Sequence, residues 1–221
     1  MRDRRIALLG GLALLVLVVV AVQTGRGGSG GGGKRASAVA GCRVASAPRP
    51  RNPSLQPPPQ TVTRGQPLRA VMATSCGSFE ITLDTARAPR TVNSFVHLAR
   101  RGFYDGLTFH RIAPGSIIQG GDPSGDGTGN PGYTVTERPP PNLAYTRWTV
   151  AMAKTSVEPP GTSGSQFFVV AAADAGLPPD YALLGRVTGG YGTVRRIGRL
   201  GTPSEEPRQT VLIDKVTIGK G

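Results

Sequence analysis

Phe79, Ile81 and Leu83 alternate with Glu80, Thr82 and Asp84. That period of two predicts a half-buried strand. A strand over residues 68–73 precedes it, with Cys76-Gly77-Ser78 as the connection. After Ala88-Pro89 the period changes: Val92, Phe95, Val96 and Ala99 recur at helical spacing, predicting a helix over 91–101. Arg100 and Arg101 suit its C-terminal dipole, Gly102 stops it, and His97 lies off the apolar stripe as a surface residue. Residues 109–122 read as strand, Pro114-Gly115 turn, strand, then a Gly-Gly-Asp break. Further strands are expected over 149–152, 167–171, 183–187 and 211–218, with a short helix over 193–200. Gly- and Pro-rich loops separate them over 123–132, 157–164 and 177–181. Many short strands with few helices predict an all-β barrel or sandwich.

The first 65 residues do not follow this pattern. Arg2, Arg4 and Arg5 precede an apolar run of 17 residues, 6–22. Its length sits at the short limit of a membrane span, and the arginines hold the N-terminus in the cytoplasm. An uncleaved signal anchor is expected, which makes the chain a single-pass membrane protein with its C-terminal domain extracytoplasmic; cleavage would make it secreted. Val39-Ala40-Gly41-Cys42 imitates a lipoprotein cleavage box but lies too far beyond the apolar run. Residues 25–33 are a glycine linker and 48–59 a stiffer proline-rich one. The expected division is an anchor over 1–24, a flexible linker over 25–65 and a folded domain over 66–221.

Charge follows that division. Residues 1–65 hold ten Lys/Arg and one acid, Asp3, whereas 66–221 hold sixteen Lys/Arg and twelve acids. The basic excess lies in the tail, which argues against nucleic-acid binding. The Asp- and Gly-rich stretch after Asp122 lacks the glutamate of a calcium loop, since Tyr133 stands at its twelfth position. Residues 161–165 lack the spacing of a nucleophile elbow. Cys42 and Cys76 are either independent thiols or one disulfide; with two histidines they make no zinc site. The disulfide is expected, closing a loop of about 33 residues in an oxidising compartment. Within 109–122, alternation places Phe109 with Arg111, a buried-looking arginine, and Ile117 with Gln119. An apolar surface carrying a guanidinium and an amide suits a neutral, hydrogen-bonding ligand such as a peptide.

Phe109-His110-Arg111, Pro114-Gly115 and Gln119-Gly120-Gly121-Asp122, followed by Gly164-Ser165-Gln166-Phe167-Phe168 after Met152-Ala153, resemble the motifs of the cyclophilins, the peptidyl-prolyl isomerases. The resemblance spans roughly residues 68–219. It implies a closed eight-stranded antiparallel barrel capped by two helices, needing no cofactor or metal and acting on proline-containing polypeptides. By the same match Arg111 is catalytic and Gln119 holds the substrate carbonyl. Phe168 and Ile117 wall the proline pocket, with Gln166 on the strand face of Phe168. Ala153 and Lys154 pair with the peptide backbone, and Leu177 and Tyr181 border the pocket. Phe109 and His110 belong to the same substrate-binding set, although alternation turns His110 away from Arg111. Ser116 stands where the family usually has a pocket phenylalanine, Gly176 where it often has tryptophan, and Leu184 at another common aromatic. The expected protein is a bacterial membrane-anchored or exported cyclophilin, a monomer that assists the folding of exported proteins. The alternative is a catalytically weak module that binds proline-containing segments, which the loss of the aromatic at Ser116 favours.

Overall fold

The computed structural model describes residues 40–221. The apolar run and the glycine linker lie outside them. In chain order the elements are β1 (Leu68–Thr74), β2 (Gly77–Leu83), α1 (Pro89–Arg100), β3 (Arg111–Ala113), β4 (Ile117–Gly120), β5 (Val135–Thr136), β6 (Thr149–Met152), β7 (Thr162–Ser163), β8 (Phe167–Val170), β9 (Leu183–Gly189), α2 (Tyr191–Gly198) and β10 (Ile213–Lys220). Eight strands form one antiparallel sheet in the order β10-β1-β2-β9-β6-β8-β4-β3, and β5 pairs with β7. The sheet curls until its two ends meet. Thr108, just before β3, bridges Leu212, just before β10, and Phe109 N donates to Val211 O at 3.0 Å.

Alternation sorts the side chains of this sheet into two apolar clusters. Ile112, Ile118, Val150, Met152, Phe167 and Val169 point into the barrel. Their chain neighbours Ala113, Ile117, Ala151, Phe168 and Val170 point outward into a second, smaller cluster. Both faces of β8 are covered, which is why Phe167-Phe168-Val169-Val170 reads as a continuous apolar run. The barrel interior is filled by aromatic edges: Phe109 and Phe167 centroids lie 5.8 Å apart at 88°, and Phe95 of α1 lies 6.2 Å from Phe167 at 88°. Helix α1 starts at Pro89, whose missing N–H costs nothing in the first turn, and buries Val92, Phe95, Val96 and Ala99 as its spacing predicts. Arg101 is its C-cap, and Gly102 follows with φ of 66°.

Residues 40–65 differ from the expected linker. They belong to the same compact unit as the barrel and lie along it as an extended strap. Cys42 is bonded to Cys76, and Arg43 pairs with Asp214 at 2.6 Å. Arg51 N donates to Pro123 O and Leu55 N to Pro131 O, both at 2.8 Å. Asn93 of α1 clamps the far end: its Oδ1 accepts from Thr61 N at 2.8 Å and Val62 N at 3.0 Å, while its Nδ2 donates to Pro59 O at 3.0 Å. Val62 is buried in the barrel cluster. The prolines of this strap have no N–H to give to a continuous ladder, so side chains and isolated backbone contacts hold it instead.

Candidate active site

The turn at Pro114-Gly115, with Gly115 at φ of 71°, folds β3 back on β4. The register makes Arg111 the partner of Gln119, Ile112 of Ile118 and Ala113 of Ile117. Partners across an antiparallel pair present their side chains on one face. Arg111 Nη1 accordingly donates to Gln119 Oε1 at 3.0 Å. Gln119 also pairs with Phe168 in the ladder, and its Nε2 donates to Gln166 Oε1 at 3.0 Å. Gln166 Nε2 in turn donates to Gly127 O and Gly129 O, each at 2.9 Å. At the other end, Arg111 Nε donates to Glu205 Oε2 at 2.6 Å. The Arg111 side chain is 43% exposed, so it is not the buried arginine that the strand pattern suggested.

Beside this polar chain lies a hollow of about 330 Å³ with an apolar wall of Ile117, Phe168, Leu177 and Tyr181, closed by Ser116 and by the polar side chains of Arg111, Gln119, Lys154 and Glu205. Its aromatic walls are fixed by one another. The Phe168 and Tyr181 rings meet at 5.4 Å and 88°, and the buried Tyr145 lies 5.9 Å from Tyr181 at 86°. Tyr145 Oη donates to Tyr181 O at 2.5 Å and accepts from Tyr181 N at 2.9 Å. Burial pushes the Tyr145 hydroxyl up to about 12, and its bond to the Tyr181 carbonyl is already made by the neutral donor. Lys154 Nζ sits 5.6 Å from the Tyr181 ring centroid.

A second hollow of about 680 Å³ continues from Arg111 and Gln119 past Ala153, Lys154 and Gln166 to the glycine-rich loop. Asp122, 1% exposed, organises that loop: Oδ1 accepts from Ser124 N and Oγ at 3.0 Å, and Oδ2 accepts from Gly127 N at 2.6 Å. A Cβ at Gly129 would come within 2.2 Å of Asp122 Oδ1, so this position tolerates only glycine. Asp126 stands at the hollow's rim with its carboxyl at about 2, held low first by the Thr128 hydroxyl, then by Thr128 N and Ser124. His110 forms part of the wall, but both ring nitrogens are sealed from solvent without a hydrogen-bond partner among the described residues. Burial lowers its pKa, with Asp122 opposing.

Most of the expected site residues converge here: Arg111, Ser116, Ile117, Gln119, Ala153, Lys154, Gln166, Phe168, Leu177 and Tyr181 border one or both hollows. Phe109 does not. It is 0% exposed inside the barrel. The β3 ladder begins only at Arg111, and the irregular backbone at His110 breaks the alternation, so Phe109 and Arg111 face opposite sides. Leu184 is likewise a barrel residue, 0% exposed; losing an aromatic there changes the core and not the pocket. Gly176 borders neither hollow. Glu205 and Tyr145 escape sequence reasoning. Glu205 lies in a loop without periodicity, 94 residues from Arg111. Tyr145 lies in a stretch without periodicity, between Leu143-Ala144 and Thr146-Arg147.

A family model described as cyclophilin type peptidyl-prolyl cis-trans isomerase/CLD matches residues 69–218. Peptidyl-prolyl cis-trans isomerase-like 1 of Gibberella zeae is 40% identical over 153 residues, covering 67% of this chain and 93% of that protein. Peptidyl-prolyl cis-trans isomerase B of Streptomyces anulatus is 36% identical over 171 residues, covering 68% and 96%. Among solved structures, a cyclophilin type isomerase of Cryptosporidium parvum, determined in the presence of the dipeptide Ala-Pro, aligns with a TM-score of 0.64 and 28% identity over 69% of this chain and 99% of that one. The curled eight-stranded sheet, the Arg111–Gln119–Gln166 face and these matches together place the chain in the cyclophilin-type peptidyl-prolyl cis-trans isomerase family, with that family's isomerase activity.

Proposed function

We propose that this chain isomerises X-Pro bonds of exported proteins outside the cytoplasm, with Arg111 as its catalytic residue. The observation that carries the residue assignment is the single face on which a half-exposed guanidinium and two linked amides adjoin a hollow walled by Ile117, Phe168, Leu177 and Tyr181. The proline ring enters between Phe168, Ile117 and Tyr181, and the substrate backbone runs over Ala153 towards Gln166. Rotation about the bond opposes amide resonance, a barrier of about 18–20 kcal/mol. In the rotated state the proline nitrogen loses its conjugation and becomes a hydrogen-bond acceptor. The planar amide offers no such acceptor, so an arginine N–H aimed there stabilises the transition state alone. Gln119 holds the substrate carbonyl. Lowering the barrier by about 7 kcal/mol accelerates the reaction roughly 10⁵-fold. No proton is transferred and no covalent intermediate forms.

Two features support an extracytoplasmic site. Arg2, Arg4 and Arg5 precede the apolar run, and Cys42 and Cys76 are oxidised to a disulfide, the state favoured outside reducing compartments. A coupled isomerisation assay on the full-length chain tests the chemistry. Arg111→Ala should lower kcat by about 10²-fold or more with unchanged thermal unfolding; full activity would remove Arg111 from the mechanism. Fractionation tests the location: the intact domain should accompany the membrane and be cut by protease added outside. Recovery of that domain from the cytoplasm would reject the topology.

A further inference from the structure

Strand β3 is an end strand of the sheet, and the loop over residues 201–207 covers its outer edge. Gly201 bridges Pro207, Glu205 N donates to Thr202 O at 2.9 Å, and Ile112 N donates to Glu205 O at 2.7 Å. Gly201 approaches so closely that a Cβ would lie 2.5 Å from Ile112 O. The backbone of Glu205 is thereby fixed to the same strand that carries Arg111. Glu205 has φ of 64°, a left-handed conformation that glycine adopts freely and glutamate does not. Its carbonyl bond to Ile112 could be made by any residue. Only the carboxylate, 2.6 Å from Arg111 Nε, requires glutamate. Both side chains are about two-fifths exposed, 43% and 40%, and an ion pair so open to solvent contributes little to stability. A strained residue kept for a contact of small stabilising value points to function.

A guanidinium is a rigid plane. Glu205 holds it at Nε and Gln119 at Nη1, and two anchors set both its plane and its rotation. Nη2 has no hydrogen-bond partner among the described residues. We propose that Glu205 is a positioning residue for Arg111, holding the guanidinium with Nη2 directed at the rotated amide. The inference rests on the isomerase role of Arg111 proposed above. Without Glu205 the side chain is tethered by Gln119 alone, and its rotational freedom is lost only as the transition state forms. Glu205 borders the hollow, but the planar substrate is bound by the apolar wall of Ile117, Phe168, Leu177 and Tyr181, which the substitution leaves in place, so kcat falls and KM does not.

The experiment measures kcat, KM and Tm on the full-length chain with a proline-containing peptide. Glu205→Ala should lower kcat about tenfold while KM stays within about twofold. Glu205→Gln, which keeps an oxygen at the same reach, should retain more activity than alanine. Glu205→Gly should lower kcat as much as alanine yet raise Tm, because it relieves the left-handed residue; a loop with only a structural role would not separate the two readouts. In Arg111→Lys, which has no Nε, Glu205→Ala should cause no further loss. Unchanged or increased kcat in the alanine and glycine variants overturns the proposal, as does an equal loss in the Arg111→Lys background. If Arg111→Ala is itself inactive in that outcome, only the role of Glu205 fails; if Arg111→Ala is fully active, the catalytic assignment fails with it.

Discussion

Ser116 and His110 show how single side chains set the limits of this site. Ser116 borders the same hollow as Tyr181, and Phe109 cannot supply the missing wall, because it lies inside the barrel. Ser116→Phe therefore adds apolar contact to a proline ring, worth about 1 kcal/mol or more, and should raise kcat/KM about fivefold. No gain in an isomerisation assay would mean that Tyr181 already closes the space. His110 matters through protonation. Burial lowers its pKa in the folded chain, while the unfolded chain titrates near the ordinary value of about 6.5. Between these values the unfolded state binds more protons, so stability falls as pH drops through that window and is kept above it. His97 shifts the same way, through burial and then the charge of Arg101. Urea midpoints at pH 7 and pH 5.5 should differ in the wild type and differ less in His110→Gln. An identical pH slope in both proteins would remove His110 as the source.

At the scale of elements, the site depends on strands that are buried on both sides. Ile118, Phe167 and Val169 anchor β4 and β8 in the barrel, leaving Ile117 and Phe168 to form the outer pocket. The hairpin of β3 and β4 aligns Arg111 with Gln119 because its register is set by the Pro114-Gly115 turn. The C-terminal end of the strap is held instead by one side chain of α1. Asn93 is 4% exposed and answers two backbone N–H groups and one carbonyl of residues 59–62. Asn93→Ala leaves the buried Val62 N–H without a partner. It should cost about 1–3 kcal/mol, measured by chemical unfolding, with little change in kcat. A wild-type midpoint would show that the strap is held elsewhere.

For the whole molecule, the strap turns residues 40–221 into one unit whose boundary lies well before the barrel's first strand. The disulfide spans a sequence separation of 34, and on the chain-entropy model such a loop contributes about 3–4 kcal/mol. A chain beginning at residue 40 should therefore unfold like the full-length protein. A chain beginning at residue 66, which also loses Val62 and the Asn93 contacts, should unfold about 10 °C lower. Equal melting temperatures for the two truncations would reduce the strap to a spacer.

Local periodicity determined the elements whose side chains are sorted by burial within one segment. The alternation of Phe79, Ile81 and Leu83 and the helical spacing of Val92, Phe95, Val96 and Ala99 each describe one buried face, and a turn at Pro114-Gly115 needs only its own residues. The motif residues Arg111, Gln119, Gln166 and Phe168 were legible from the family resemblance, since each motif is one short contiguous stretch of chain. Tertiary structure alone decided the rest. β5 and β7 are two residues each, too short to carry a period. Phe109 falls inside the barrel because the ladder starts at Arg111, a consequence of where the sheet closes. Residues 40–65 became a strap because Asn93, Cys76 and Asp214, far away in sequence, supply the partners that proline-rich chain lacks. Glu205 reaches Arg111 across 94 residues. Such a contact has no local signature, because it exists only once the curled sheet brings the loop after α2 to the open edge of β3.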